Sequence, residues 1–202
     1  MSRQHYFFVI NYLPVNADPS LLAGRCISTL HGYATHHPNT QIGVSFPDWC
    51  DTTIGHSIAF VSIHRSQLEA FRKREYFQVM ETNNLFALSQ VIKAPHSCSE
   101  VQFIRNQNVA KIFVGGRKRI LARAKRRAEA RGEIFHLKSP VDTKEVGIFH
   151  CVSMQSISSG QSYVLCIQKR SCEGLTRGVY SNYGLASNNI YTGSVPELCG
   201  VI

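Results

Sequence analysis

The chain has 202 residues and an ordinary apolar fraction of 44%, enough for one large domain or two small ones with a real core. Its net charge of +9 is concentrated in one stretch, which favours a nucleic-acid partner over an acidic small molecule. The seven cysteines lack any C-x-x-C spacing, no signal peptide opens the chain, and no apolar run is long enough to cross a bilayer, so a reduced cytoplasmic protein with no membrane partner is expected.

Tyr6 to Leu13 is aromatic and β-branched and is stopped by Pro14, which predicts a strand buried on both faces. Asp18 before Pro19 supplies an N-cap and a proline at the first helical position. That helix is expected to run to about His36, ahead of Pro38, with Leu22, Cys26, Leu30 and Tyr33 as its core stripe. Gln41 to Phe46 and Ser57 to Ile63 read as the second and third strands. Ser66 with Glu69 reads as a capping box opening a second helix, with Leu68 and Phe71 inward. Leu85 to Ile92 reads as the fourth strand.

Strand, helix, strand, strand, helix, strand is the split pattern of a ferredoxin-like domain. The expected fold class is α+β, with a ferredoxin-like domain over residues 1–95 and a smaller α+β domain over residues 96–202. In the second part Val101 to Arg105 is a short strand, followed by the basic stretch and then a polar loop from Glu133 to Lys144. Val146 to Ser156 and Ser162 to Gln168 read as a hairpin, and Val179 to Tyr183 as a last strand. No element is assigned to the tail from Ser187.

The basic stretch, Gly115 to Gly132, reads GGRKRILARAKRRAEARG. Its alanines favour a helix over about residues 117–131, and Gly132 is a stop signal. Residues three, four, seven and eight apart share a helix face, so Arg119, Arg123, Arg126 and Arg127 form one row. Leu121, Ala124 and Ala128 lie opposite, where they can pack. An ordinary charge run is a solvated helix face. The density here, the bias to Arg and the single acid, Glu129, point instead to nucleic-acid binding.

His31 stands about half a turn from the stripe of the first helix, behind Gly24 and Ser28, on a face cleared of bulk with room for a ligand. From the helix alone, a general base and a half-exposed histidine without a role both fit. His36 and His37 precede Pro38 at a helix end, where the dipole favours cations, and no spacing supports a metal site with His56 and Cys50. Ser153, Ser156, Ser158, Ser159 and Ser162 fit either turn chemistry or hydroxyl donors to RNA, and Tyr163 and Tyr183 either the core or base stacking. With 13 acids in the chain a two-metal nuclease is hard to build, so a nuclease here is expected to work by histidine with no metal and no cofactor.

IGVSFPDWCD at 42–51, the helical His31, the arginine run, SISSGQ at 156–161 and YGL at 183–185 occur in that order. Together they resemble the CRISPR-associated endoribonuclease of type I-F systems, which cuts the repeat hairpin of precursor guide RNA. The resemblance spans about Tyr6 to Leu185. It implies a ferredoxin-like N-terminal domain and an arginine helix in the groove of an RNA hairpin. It implies His31 as the base, Ser156 as the serine that positions the attacking ribose, and Tyr183 as the active-site tyrosine. Ser158 is then the next serine of the turn, Tyr163 the aromatic under the last base pair, and Arg105 and Gln107 the readers of bases near the stem foot. Arg123, Arg126 and Arg127 fall on the groove row, to which the helical wheel adds Arg119.

The resemblance further implies an enzyme that stays on its product hairpin beside the other type I-F Cascade subunits. The sequence also resembles transposon-borne members, in which a transposition adaptor docks beside this subunit. A non-catalytic RNA-hairpin-binding subunit of the same kind of complex is the alternative. A basic DNA-binding architectural protein is a third reading, which predicts equal affinity for duplex DNA and hairpin RNA.

Overall fold

The computed structural model describes residues 4–107, 109, 114–133, 147–155, 160–172, 178–187 and 190–201, and the side chains of the basic helix from residue 121 onward. The described residues form an α+β structure with two antiparallel sheets. The first sheet comprises β1 (Tyr6–Tyr12), β2 (Gly43–Ser45), β3 (Ser57–Ser62), β4 (Phe86–Leu88) and β5 (Ile92–Lys93). Its order is β2-β3-β1-β4, with β5 also paired to β1. Helices α1 (Pro19–His36), α2 (Arg65–Arg72) and α3 (Glu75–Thr82) belong to the same half of the chain.

The first helix has the predicted bounds. The Asp18 carboxylate accepts from the Ser20 amide at 2.9 Å, and Pro19 occupies the first turn. The second helix differs from expectation in two ways. It begins at Arg65, before Ser66, so no capping box forms, and Glu69 instead accepts from Arg65 Nε at 2.8 Å. The Ser62 hydroxyl and the His64 carbonyl organise that entry, taking the amides of His64 and of Gln67. The helix then breaks at Lys73 and Arg74, and α3 starts afresh. Six residues along an unbroken helix turn a side chain well away from its starting face. The break lets Phe71 and Phe77 meet Phe8 and Phe60 in one aromatic core, with Phe60–Phe71 centroids 4.8 Å apart and Phe71–Phe77 5.2 Å apart.

The expected fourth strand is two short pieces rather than one. Between them the register against β1 shifts by one residue, a bulge at which the Ser89 hydroxyl accepts from the Val9 amide at 2.8 Å.

The second sheet comprises β6 (Glu100–Arg105), β7 (His150–Gln155), β8 (Ser162–Cys172) and β9 (Val195–Pro196), in the order β7-β8-β6-β9. The predicted hairpin is present as β7 and β8. The unassigned tail supplies an edge strand, β9. Val179 to Tyr183 is not a strand: the chain turns there, with the Ser181 amide and hydroxyl both donating to the Leu185 carbonyl and Gly184 at φ 72°. The Gly184 amide donates to the Ser181 carbonyl at 2.8 Å, so the last three residues of the segment fold into a turn and cannot extend as a strand.

One buried core runs through both sheets, from Phe7 and Phe60 to Val152, Leu165 and Ile167. The sheets meet where Phe46 packs edge-on against Phe103 at 5.1 Å, and where β7 lies on α1. The helix comes this close because of Gly24. A Cβ there would stand 2.0 Å from the Ser153 carbonyl oxygen. The basic helix spans Val114–Ala130 and ends as predicted at Gly132, whose φ is 70° and whose neighbour Glu133 returns its amide to the Ala128 carbonyl.

Candidate functional site

Three remote segments converge on one side of α1. The segment from Ser181 to Ala186 is tied to both sheets. Val44 of β2 donates its amide to the Gly184 carbonyl at 2.9 Å, while Ala186 exchanges backbone bonds with Phe103 and Arg105 of β6. Gly184 sits so close to α1 and β2 that a Cβ would fall 2.6 Å from Leu30 and 2.7 Å from Val44. Tyr183 is thereby held against the helix, and its ring stacks on His31 with centroids 4.5 Å apart and planes 7° from parallel. Arg105, the last residue of β6, places its Cζ 5.1 Å from the same tyrosine ring, within cation–π range. Tyr163 of β8, opposite Met154 in the hairpin, brings its hydroxyl to 3.1 Å from that of Tyr183.

The small face before His31 has a different use from the one expected. It does not hold a ligand: β7 fills it, with the Ser153 backbone against Gly24 and Met154 Sδ 4.0 Å from the Ser28 hydroxyl. His31 itself is half-buried, and its Nδ1 is buried with no hydrogen-bond partner among the described residues. Burial, and secondly the Arg105 cation, hold its pKa below the ordinary 6.5. The ring is therefore neutral at physiological pH, and Nε2 is the nitrogen left to meet a ligand. Tyr163 is pushed up to about 12, first by burial and then by its bond to Tyr183.

Of the predicted residues, His31, Tyr183, Tyr163 and Arg105 are brought together. Gln107 lies two residues beyond Arg105 and is exposed. Ser156 and Ser158 lie outside the described residues. The flanking pair Gln155 and Ser162 is matched across the hairpin, and Gly160 has φ 65°. Arg119 belongs to the basic helix, and its side chain is outside the description. Arg123, Arg126 and Arg127 are exposed. Glu129 is engaged by Lys125 at 3.8 Å and Glu133 by Arg131 at 2.9 Å, so neither acid is spent on that row. The packing side of this helix is narrower than expected. Ala128 is 5% exposed, but Leu121 is 42% exposed and does not join it.

Sequence reasoning missed the contacts that assemble the site, namely the Tyr163–Tyr183 hydroxyl pair and the Arg105–Tyr183 stack. The one local signal was Gly184, directly after the tyrosine, where a side chain does not fit. The remaining histidine pair does not join this site: His37 stacks on Tyr33 at 4.2 Å and its Nδ1 meets the Tyr33 carbonyl at 2.9 Å. Among the described residues no group of three or more His, Cys, Asp or Glu is placed to hold a metal ion, and no helix is long and apolar enough to cross a membrane.

No curated protein matches the chain. The family model described as CRISPR-associated protein (Cas_Csy4) matches residues 7–198, which takes in both sheets, the basic helix and all four clustered residues. The chain therefore belongs to the Cas_Csy4 family of CRISPR-associated proteins, nucleases that process CRISPR RNA.

Proposed function

We propose that the chain is a metal-independent endoribonuclease that cuts the repeat hairpin of CRISPR precursor RNA at the foot of its stem. The observation that carries this reading is the placement of His31: half-buried and stacked on Tyr183 beside the Arg105 guanidinium, where burial and that cation favour the neutral ring. A neutral imidazole is the form that accepts a proton. Through Nε2, His31 takes the proton of the 2′-hydroxyl upstream of the scissile bond. The 2′ oxygen bonds to its own phosphorus, the bond to the 5′ oxygen breaks, and that oxygen takes up a proton. The products are a cyclic phosphate and a 5′-hydroxyl. The nucleophile belongs to the RNA, so alignment of the ribose supplies much of the rate, and Ser156 is the residue proposed to hold it.

Arg105 and Gln107 read bases at the stem foot, Tyr163 and Ser158 line the same end, and Arg119, Arg123, Arg126 and Arg127 follow the phosphates of the A-form groove. Two readings go with this one. Residues 1–95 form a ferredoxin-like domain and residues 96–202 an RNA-binding one, supported by the order β2-β3-β1-β4 and by the confinement of each sheet to one half of the chain. The enzyme works in the cytoplasm and keeps its hairpin as a Cascade subunit beside the other type I-F subunits, with a transposition adaptor as a further partner in transposon-borne systems.

The test is incubation with the repeat hairpin RNA in EDTA, beside His31→Ala, read on a denaturing gel. One cut at the stem foot that vanishes in the variant while binding survives is the expected result. RNA bound tightly and left whole by the wild-type chain would overturn the enzyme and leave a hairpin-binding subunit.

A further inference from the structure

The hydroxyl of Tyr163 has a use that stacking under a base pair does not require. Its ring alone would serve that purpose. Tyr163 lies on the same sheet face as Met154, whose sulfur approaches Ser28 one turn before His31. From there its hydroxyl reaches the Tyr183 hydroxyl at 3.1 Å. Tyr183 is then fixed on three counts: its ring against His31, the Arg105 guanidinium over it, and its oxygen on Tyr163.

Each phenol has one hydrogen to donate and lone pairs to accept with, so a bond between two phenols uses one hydrogen and leaves the other. We propose that Tyr163 is a positioning residue whose hydroxyl bonds to the Tyr183 hydroxyl and fixes that group beside His31, where the RNA phosphate lies. The proposal rests on the RNA-cleavage reading above and adds a residue that acts through Tyr183 rather than on the reacting atoms.

Tyr163→Phe keeps the ring and removes only the hydroxyl. Single-turnover cleavage of the repeat hairpin at saturating protein is compared for wild type, Tyr163→Phe, Tyr183→Phe and the double variant, with Kd measured by filter binding. Tyr163→Phe is expected to slow cleavage roughly fivefold, the scale of one lost hydrogen bond, with Kd unchanged within about twofold. The double variant is expected to be no slower than Tyr183→Phe alone, because the lost group acts through that tyrosine. Cleavage by Tyr163→Phe at the wild-type rate overturns the proposal while leaving the enzyme reading intact. Two losses that multiply, or a loss carried by Kd, overturn it as well, since Tyr163 would then act on the RNA directly. No cleavage by the wild-type chain overturns both readings together.

Discussion

Helix α1 and its C-cap residue present two histidines stacked on tyrosines, and each tyrosine has an arginine near its ring. His31 meets Tyr183 and Arg105, whereas His37 meets Tyr33 and Arg74, whose Cζ stands 5.9 Å from the ring. The stacks look alike, but their origins differ. Tyr33 is in the last turn of α1, four residues before the C-cap His37, and the Tyr33 carbonyl satisfies His37 Nδ1. That arrangement closes the exposed end of α1 and needs little beyond the helix itself. The His31 stack draws its partners from β6 and from a loop pinned to two sheets, and its Nδ1 remains buried and unmatched among the described residues. A stacked histidine is therefore not a mark of chemistry. What separates the two is that one ring is satisfied locally, while the other is held by remote parts of the fold without being satisfied.

The largest effect expected from breaking this comparison is on cleavage itself. His31→Ala is expected to lower the single-turnover rate by about 10³-fold, the scale of a lost general base, with hairpin affinity retained. His37→Ala is expected to cleave within about twofold of wild type. Equal losses from the two variants would show that the stacks are equivalent and that His31 has no special role. Next in size is a change aimed at the loop. Gly184→Ala places a side chain at φ 72° and against Leu30 and Val44, so it should cost roughly 2–3 kcal/mol of stability, read as a lower melting temperature. It should also slow cleavage at saturating RNA, because Tyr183 loses its seat. A variant that melts lower but cleaves normally would break the link between Gly184 and the His31 site.

The sequence carried α1 well because its signals are local: Asp18 and Pro19 start it, and Pro38 follows its end. It carried the start of α2 badly, because the entry is organised by Ser62 and the His64 backbone rather than by the Ser66–Glu69 pattern. The break before α3 answers to tertiary packing, the need of Phe71 and Phe77 to enter one core, which no window of sequence displays. The small residues ahead of His31 were a true signal with the wrong cause, since they admit a strand and not a ligand. In the site, the helical position of His31 was legible, while the role of base came only with the family resemblance. Its contact with Tyr183 depends on a turn that was expected to be a strand, and the turn depends on two sheets being in place. Wheel geometry placed Leu121 inward on the basic helix, but the wheel cannot say how much of a face is covered.

The two arginines sharpen the comparison further. Arg105→Gln removes the cation that disfavours protonation of His31, so the imidazolium becomes easier to form and the acid limb of the cleavage rate moves to higher pH. Rates measured at saturating RNA across the acid range keep any lost affinity out of the comparison. An acid limb that does not move would mean either that His31 is not the titrating base or that Arg105 does not sense it.

The smallest effect belongs to Arg74. It caps the start of α3 with extended backbone, and its guanidinium lies over the ring of a tyrosine that is 8% exposed. Loss of that contact in Arg74→Ala should cost about 0.5–1 kcal/mol, visible as a small drop in melting temperature. Arg74 is not among the groups that act on His31, where burial and Arg105 are the causes of the shift. Cleavage rate and its acid limb should therefore match wild type. A shifted limb in Arg74→Ala would mean that the charge field along α1 reaches His31 from its far end, and the local stack would then be part of the same electrostatic unit as the remote one.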